Sequence, residues 1–272
     1  MESIERLEFV PDTPRHATPV LLQHGLFLCA AAWERTARAL CDEHGWKVYA
    51  TSLPGHGKSS MHKGELDYYN VEDYVNPLAR QVLKLKRPVA LVAHGAAALF
   101  ARRLLEVREF ASHQIEELAA LGLVAPMPAA GLAPWLTGYR KRHRLYALTK
   151  RPAKHPERFF DDAARARGEW LAPGDDAPEA EWFDHVHGES AQVIEQLGRG
   201  VKLLDKRFCP PARVFAAEHD LWFDRASVEP LAKDLGAEIE TIPGAGHGAM
   251  LGRSANELAR AIDSWLSGLG LE

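Results

Sequence analysis

The chain has 272 residues, 46% of them hydrophobic and 26% charged, with a formal net charge of −4 and a pI near 6.4. These values exclude a disordered chain, a fibrous repeat and a small disulfide-held scaffold. The mildly acidic balance argues against a protein built to neutralise phosphate backbones, so no nucleic acid partner is expected.

Short apolar runs alternate with longer helical patterns. Residues 19–23 read as a buried strand, and 30–43 as a helix with Trp33, Ala37, Leu40 and Cys41 on one face. A strand at 46–50 runs into a turn marked by Pro54, Gly55 and Gly57. A helix over 71–85 places Val71, Tyr74, Val75, Leu78, Val82 and Leu85 together. Residues 88–93 are apolar throughout and stop sharply at Gly95, which predicts a central strand. A helix over 97–107 and a strand over 118–125 follow. From 126 to 209 no buried strand is evident; Trp135, Trp170 and Trp182 lie among charges and helix-compatible stretches. The alternation resumes with a strand at 212–217, a helix at 227–235, a strand at 237–242 and a last helix at 254–266. Strands alternating with helices predict an α/β fold, a mostly parallel sheet with helices on both faces. The expected domains are a core formed by 1–125 and 210–272 and a helical insertion over 126–209. That insertion begins basic, with Arg140, Lys141, Arg142, Arg144, Lys150 and Arg151, and turns acidic at Asp175, Asp176, Glu179 and Glu181. The ordinary account is a solvated, partly self-pairing surface; the alternative is a patch for an anionic substrate or carrier.

Certain short motifs in this order carry a resemblance. His24-Gly25 directly follows a strand, and Leu53-Pro54-Gly55-His56-Gly57-Lys58-Ser59 follows the next. Ala93-His94-Gly95-Ala96-Ala97 forms a strand-to-helix corner, and Asp220 and His247 come late. Together they resemble the α/β-hydrolase superfamily over nearly the whole chain outside the insertion. The resemblance implies a helical cap or lid at 126–209, over the carboxyl edge of the sheet where such folds bind ligands. It also implies that Asp220 orients His247, with Glu218 and Asp224 as weaker candidates for the acid. The backbone amides of Leu26 and Ala96 would form an oxyanion hole. His24 is expected to be structural, His94 to point away from the cavity floor, Ser59 and Ser60 to serve the turn, and Cys29 to pack in the core. Phe27, Trp135 and Tyr139 are expected substrate contacts, with Trp170, Trp182 and Phe183 as further pocket candidates.

In the superfamily the corner reads G-x-S-x-G, and its serine attacks the substrate. Position 95 here is glycine, with no hydroxyl, thiol or carboxylate to form a covalent intermediate. The expectation is therefore an enzyme acting on a carbonyl compound, an ester, thioester or lactone, with the nucleophile position occupied by Gly95, natural or introduced. The alternatives are a lyase, cyclase or isomerase using the His–Asp pair without a covalent intermediate, a catalytically silent ligand-binding relative, or a nucleophile supplied from elsewhere. Thirteen dispersed histidines and the lack of nucleotide fingerprints predict no metal and no cofactor.

Three scattered cysteines, Cys29, Cys41 and Cys209, suggest a reducing compartment. MESIERLEF carries acids where a secretory signal would have bases, and no apolar run reaches the roughly 18 residues of a membrane span. A cytoplasmic protein with no membrane partner is expected; a homodimer is left open.

Overall fold

The computed structural model describes residues 3–61, 63–106 and 117–271. Its centre is a seven-stranded sheet: β1 Arg6–Phe9, β2 Val20–Gln23, β3 Val48–Thr51, β4 Val89–His94, β5 Leu118–Val124, β6 Ala212–Ala217 and β7 Glu238–Ile242. The spatial order is β1-β3-β2-β4-β5-β6-β7, parallel except for β1, which pairs antiparallel to β3. All residues of β2, β3 and β4 are buried, as a sheet covered on both faces requires. β1 is absent from the sequence reading because its RLEF alternates exposed with half-buried residues at the edge and has no apolar run.

The helices are α1 Glu34–Arg38, α2 Glu72–Lys84, α3 Ala96–Leu104, α4 Ala133–Arg142, α5 Arg144–Lys150, α6 Ala163–Trp170, α7 Ala191–Gly198, α8 Arg225–Leu235 and α9 Ala255–Gly268. α1 is flanked by a 3₁₀ turn at Ala30–Trp33 and a π turn at Ala39–Glu43, so the helix expected over 30–43 is irregular at both ends. The expected end of the 97–107 helix, Val107, lies outside the described residues. The chain moves from β2 outward to β3, then returns to β4, and right-handed crossovers place α1 and α2 on opposite faces. α9 accordingly packs on α1, and α3 on α2. Among the described residues between β5 and β6 every regular element is helical.

This winding brings the carboxyl ends of β2, β4, β6 and β7 to one edge. The loops after them carry His24-Gly25-Leu26, Gly95, Asp220 and His247. No helix among the described residues is long and apolar enough to cross a membrane.

Candidate active site

Gly95 sits between β4 and α3 at φ 54° and ψ −122°, a conformation that side chains rarely adopt. Its amide donates to the Val124 carbonyl at 3.0 Å, and its own carbonyl accepts from Met127 at 3.0 Å, so both neighbours of the corner fix the turn. A Cβ built on Gly95 would lie 3.5 Å from His247 Nε2 in ordinary contact, so there is room for a side chain here. Gly25 is different. A Cβ there would come within 2.8 Å of the His94 carbonyl oxygen and 2.9 Å of His94 Nδ1, so the loop after β2 approaches the corner this closely only as glycine.

His247 reaches the corner from the loop after β7. Its Nδ1 lies 3.1 and 3.0 Å from the two carboxylate oxygens of Asp220, which leaves Nε2 on the Gly95 side. Asp220 Oδ1 also accepts from the Trp222 and Phe223 amides at 2.7 and 3.1 Å, a turn that locks the carboxylate before it meets the imidazole. Of the weaker acid candidates, Glu218 accepts from the Gly244 amide and Asp224 caps α8 through the Ser227 amide. The His94 ring is buried 4.8 Å from the His247 ring, and its Nε2 donates to the His247 carbonyl at 2.9 Å. His94 thus holds the loop that carries His247. Burial, and then the proximity of His247, keep its pKa well below the ordinary histidine range, as suits a neutral donor.

The loop after β2 is held from two directions. His24 donates from Nδ1 to the Gly25 carbonyl at 2.7 Å and accepts the Leu53 amide on Nε2 at 2.9 Å, a structural role. Phe27 takes φ 62°, and both its backbone groups are engaged: its amide donates to Glu189 Oε2 at 3.3 Å and its carbonyl accepts from the His187 amide at 2.7 Å. Ser59 Oγ accepts from the Glu5 amide and donates to the Ser52 carbonyl, and Cys29 is buried.

Above the corner the structure packs aromatic rings. The Trp222 indole stacks on His247 at 4.2 Å with 9° between planes, and Trp135 stacks on Trp222 at 4.0 Å and 17°. Phe160 is stacked against Trp222 at 5.9 Å, and Phe27 meets Phe160 edge-on at 5.0 Å. Phe27 and Trp135, the expected substrate contacts, are 0% and 1% exposed and pack within this cluster. Tyr139 is also buried, donating to the Phe159 carbonyl at 2.9 Å beside Trp135. Trp170 joins the cluster 5.5 Å from His247, whereas Trp182 packs against Phe183 and beneath Arg167. Residue 169 fastens the stack. Its carboxylate accepts from Trp135 Nε1 at 3.1 Å, from Arg142 through two nitrogens and from His143, while its carbonyl accepts from Trp222 Nε1.

A sequence profile of the alpha/beta hydrolase family matches residues 20–261. The chain belongs to the alpha/beta hydrolase family. No curated protein matches it. Among solved structures, this hydrolase-family chain resembles an esterase from Thermogutta terrifontis, with 20% identity, a TM-score of 0.72, and coverage of 98% of this chain and 94% of that one. The enol-lactonase of Burkholderia xenovorans LB400 shows 17% identity and a TM-score of 0.66 over 100% and 97% of the two chains. The proline iminopeptidase of Mycobacterium smegmatis shows 17% and 0.70 over 99% and 96%. At these identities the likeness is one of fold.

Sequence reasoning missed a buried ion pair in this alpha/beta hydrolase. The Glu189 carboxylate, which holds the Phe27 amide, also accepts from Tyr74 Oη at 2.6 Å and lies 3.4 Å from His56 Nε2, with neither side chain of the pair exposed. Burial disfavours charge on both groups, yet their mutual attraction wins. It raises His56 above the ordinary histidine range and lowers Glu189 below the carboxylate range. The His56 contribution is complete below about pH 6.5 and is lost as pH rises through its raised pKa; that of Glu189 is complete above about pH 4.5 and is lost as pH falls through its lowered one. His24, like His94, is buried with a depressed pKa, so acidification below about pH 6.5 works against the fold there. Glu189→Gln is expected to cost about 3 kcal/mol near pH 6. Its stability should also fall more steeply than the parent's on acidification, because His56 then joins His24 and His94 as a buried imidazole with no carboxylate partner. Urea midpoints on either side of pH 6.5 check this, and parallel pH profiles for the two proteins would contradict it.

Proposed function

We propose that this protein is a general-base enzyme of the hydrolase type, acting on a small ester, thioester or lactone without a covalent intermediate. The observation that carries the proposal is the imidazole geometry: His247 Nδ1 is pinned by Asp220 at 3.0 Å, and Nε2 stands 3.5 Å from where a side chain of residue 95 would begin. Nε2 would take a proton from a water above Gly95 as that oxygen bonds to the carbonyl carbon. The carbonyl oxygen would gather negative charge against the Leu26 and Ala96 amides. When the tetrahedral adduct collapses, the carbon–oxygen or carbon–sulfur bond to the leaving group breaks, and the imidazolium returns its proton to that group. The products are a carboxylic acid and an alcohol or thiol. The same base could remove a substrate proton in a lyase or isomerase reaction, but an oxyanion hole made by the Leu26 and Ala96 amides would suit a tetrahedral adduct. In this reading, residues 126–209 are a lid, and its Trp135, Phe160 and Trp170 rings form a closed gate together with Trp222 of the core.

A second reading, a catalytically silent relative, draws support from the stack of Trp222 and Trp135 on His247. The two readings separate in one experiment: incubation with a panel of esters, thioesters and lactones, read by mass spectrometry. Product from any of them, abolished by a change at His247, supports the enzyme; an inert panel supports the silent relative. Gly95→Ser tests the corner itself. A serine there inherits the strained backbone already in place at φ 54°, with His247 Nε2 beside it, so labelling by a serine-directed phosphonate is expected in the variant and not in the parent. Covalent labelling of the parent at this corner would refute the non-covalent mechanism.

A further inference from the structure

The basic segment of the insertion has no counterpart in the chemistry above. Residues 140–154 contain seven Lys or Arg and no Asp or Glu, in a chain of net charge −4. Arg142 is engaged by Glu169. The remaining six, Arg140, Lys141, Arg144, Lys150, Arg151 and Lys154, are exposed and form no ion pair among the described residues. The acidic stretch downstream does not neutralise them: Asp176 pairs with Arg253 and Glu181 with Arg35. The surface pairs with itself only in part, through Arg142–Glu169, Arg158–Glu157 and Arg165–Asp161, and leaves these six cations to solvent.

Leu145 and Leu148 stand among these cations, 80% and 74% exposed, on the α5 turn where residues three apart share a face. Beside them, between α4, α5 and the loop after α5, lies a cavity of about 170 Å³ whose lining includes Leu136, Tyr139 and Phe159 together with Arg140, Arg151 and Lys154. Unpaired cations interspersed with solvent-facing leucines match an interface that is anionic at its surface and apolar just beneath. A nucleic acid would use the charges but not the leucines, and the aromatic ring of α5 is not free to stack on bases, because Arg165 covers Tyr146 at 3.7 Å.

We propose that α5 and its flanking cations dock this protein peripherally on a membrane containing anionic lipid, with Leu145 and Leu148 entering the acyl boundary. The proposal is independent of the chemistry at Gly95, and it revises the expectation of no membrane partner. The test is co-sedimentation of the full chain with phosphatidylcholine vesicles and with vesicles in which a third of the lipid is phosphatidylglycerol. Binding is expected only to the second kind and should weaken with added salt. The triple change Lys141→Gln, Arg144→Gln and Lys150→Gln should weaken it about fivefold per charge, on the order of a hundredfold in all. Leu145→Ser with Leu148→Ser should weaken it at least about tenfold. These positions are exposed, so circular dichroism should be unchanged. Failure to sediment with anionic vesicles overturns the proposal. Retention of binding in the double leucine variant, with equal affinity for heparin, overturns it in favour of a polyanion site.

Discussion

His247→Ala is expected to lower turnover of the true substrate by about 10²–10⁴-fold, the range a positioned proton-transfer group supplies. That corresponds to roughly 3–5 kcal/mol of transition-state stabilisation. On the proposed mechanism the loss should fall on kcat and not on KM, because the imidazole would act on the proton in flight and not on the bound substrate. The backbone of the loop should survive the change, since His94 binds the carbonyl of residue 247 and not its ring. Asp220→Asn should reduce turnover as well, because an amide facing Nδ1 favours the wrong tautomer. Asp220→Asn carries a second cost that His247→Ala does not: the same carboxylate accepts the Trp222 and Phe223 amides. Steady-state kinetics on one substrate of the panel, with melting curves of both variants, check the pair. An unchanged kcat in His247→Ala would remove the imidazole from the chemistry.

What the sequence made legible follows from locality. Residues 88–93 are continuously apolar and end at a glycine, so β4 and the corner can be read from six neighbours. The glycines around His247 and the strand before Asp220 mark loops at the same sheet edge once parallel alternation is recognised. β1 lacked any such mark, since a four-residue edge strand needs only two half-buried side chains. The partners of Glu169 and Glu189 were out of reach for a different reason. Glu169 is meaningful only beside Trp135 and Trp222, and Glu189 only beside His56, Tyr74 and the Phe27 amide, contacts that span 34 to 162 positions. A glutamate in a charged helical stretch reads as a solvated face until the helices close over it. Trp222 left the one local signal that could have been used: it stands two residues after Asp220, where an aspartate-led turn delivers the next side chains toward the imidazole.

Trp222→Ala is expected to destabilise the protein by about 3–5 kcal/mol, the usual cost of removing a large buried ring. At this chain length it should lower the melting temperature by about 10 °C. The indole is 5% exposed and packs between His247 and Trp135, while its Nε1 satisfies the Glu169 carbonyl. Collapse into the space is hindered on both sides, because Trp135 is tied to the Glu169 carboxylate and His247 to Asp220. A lined apolar chamber of indole size should therefore open directly against the imidazole. It should bind a small aromatic such as indole, raising the melting temperature of the variant and leaving the parent unmoved. If the parent works by swinging Trp222 aside, the variant should also turn over panel substrates with a lower KM, since the gate no longer has to be displaced. A variant that binds indole but hydrolyses nothing would assign the intact dyad to a silent fold. A variant that fails to bind indole would mean that the stack collapses, and that the rings are ordinary core.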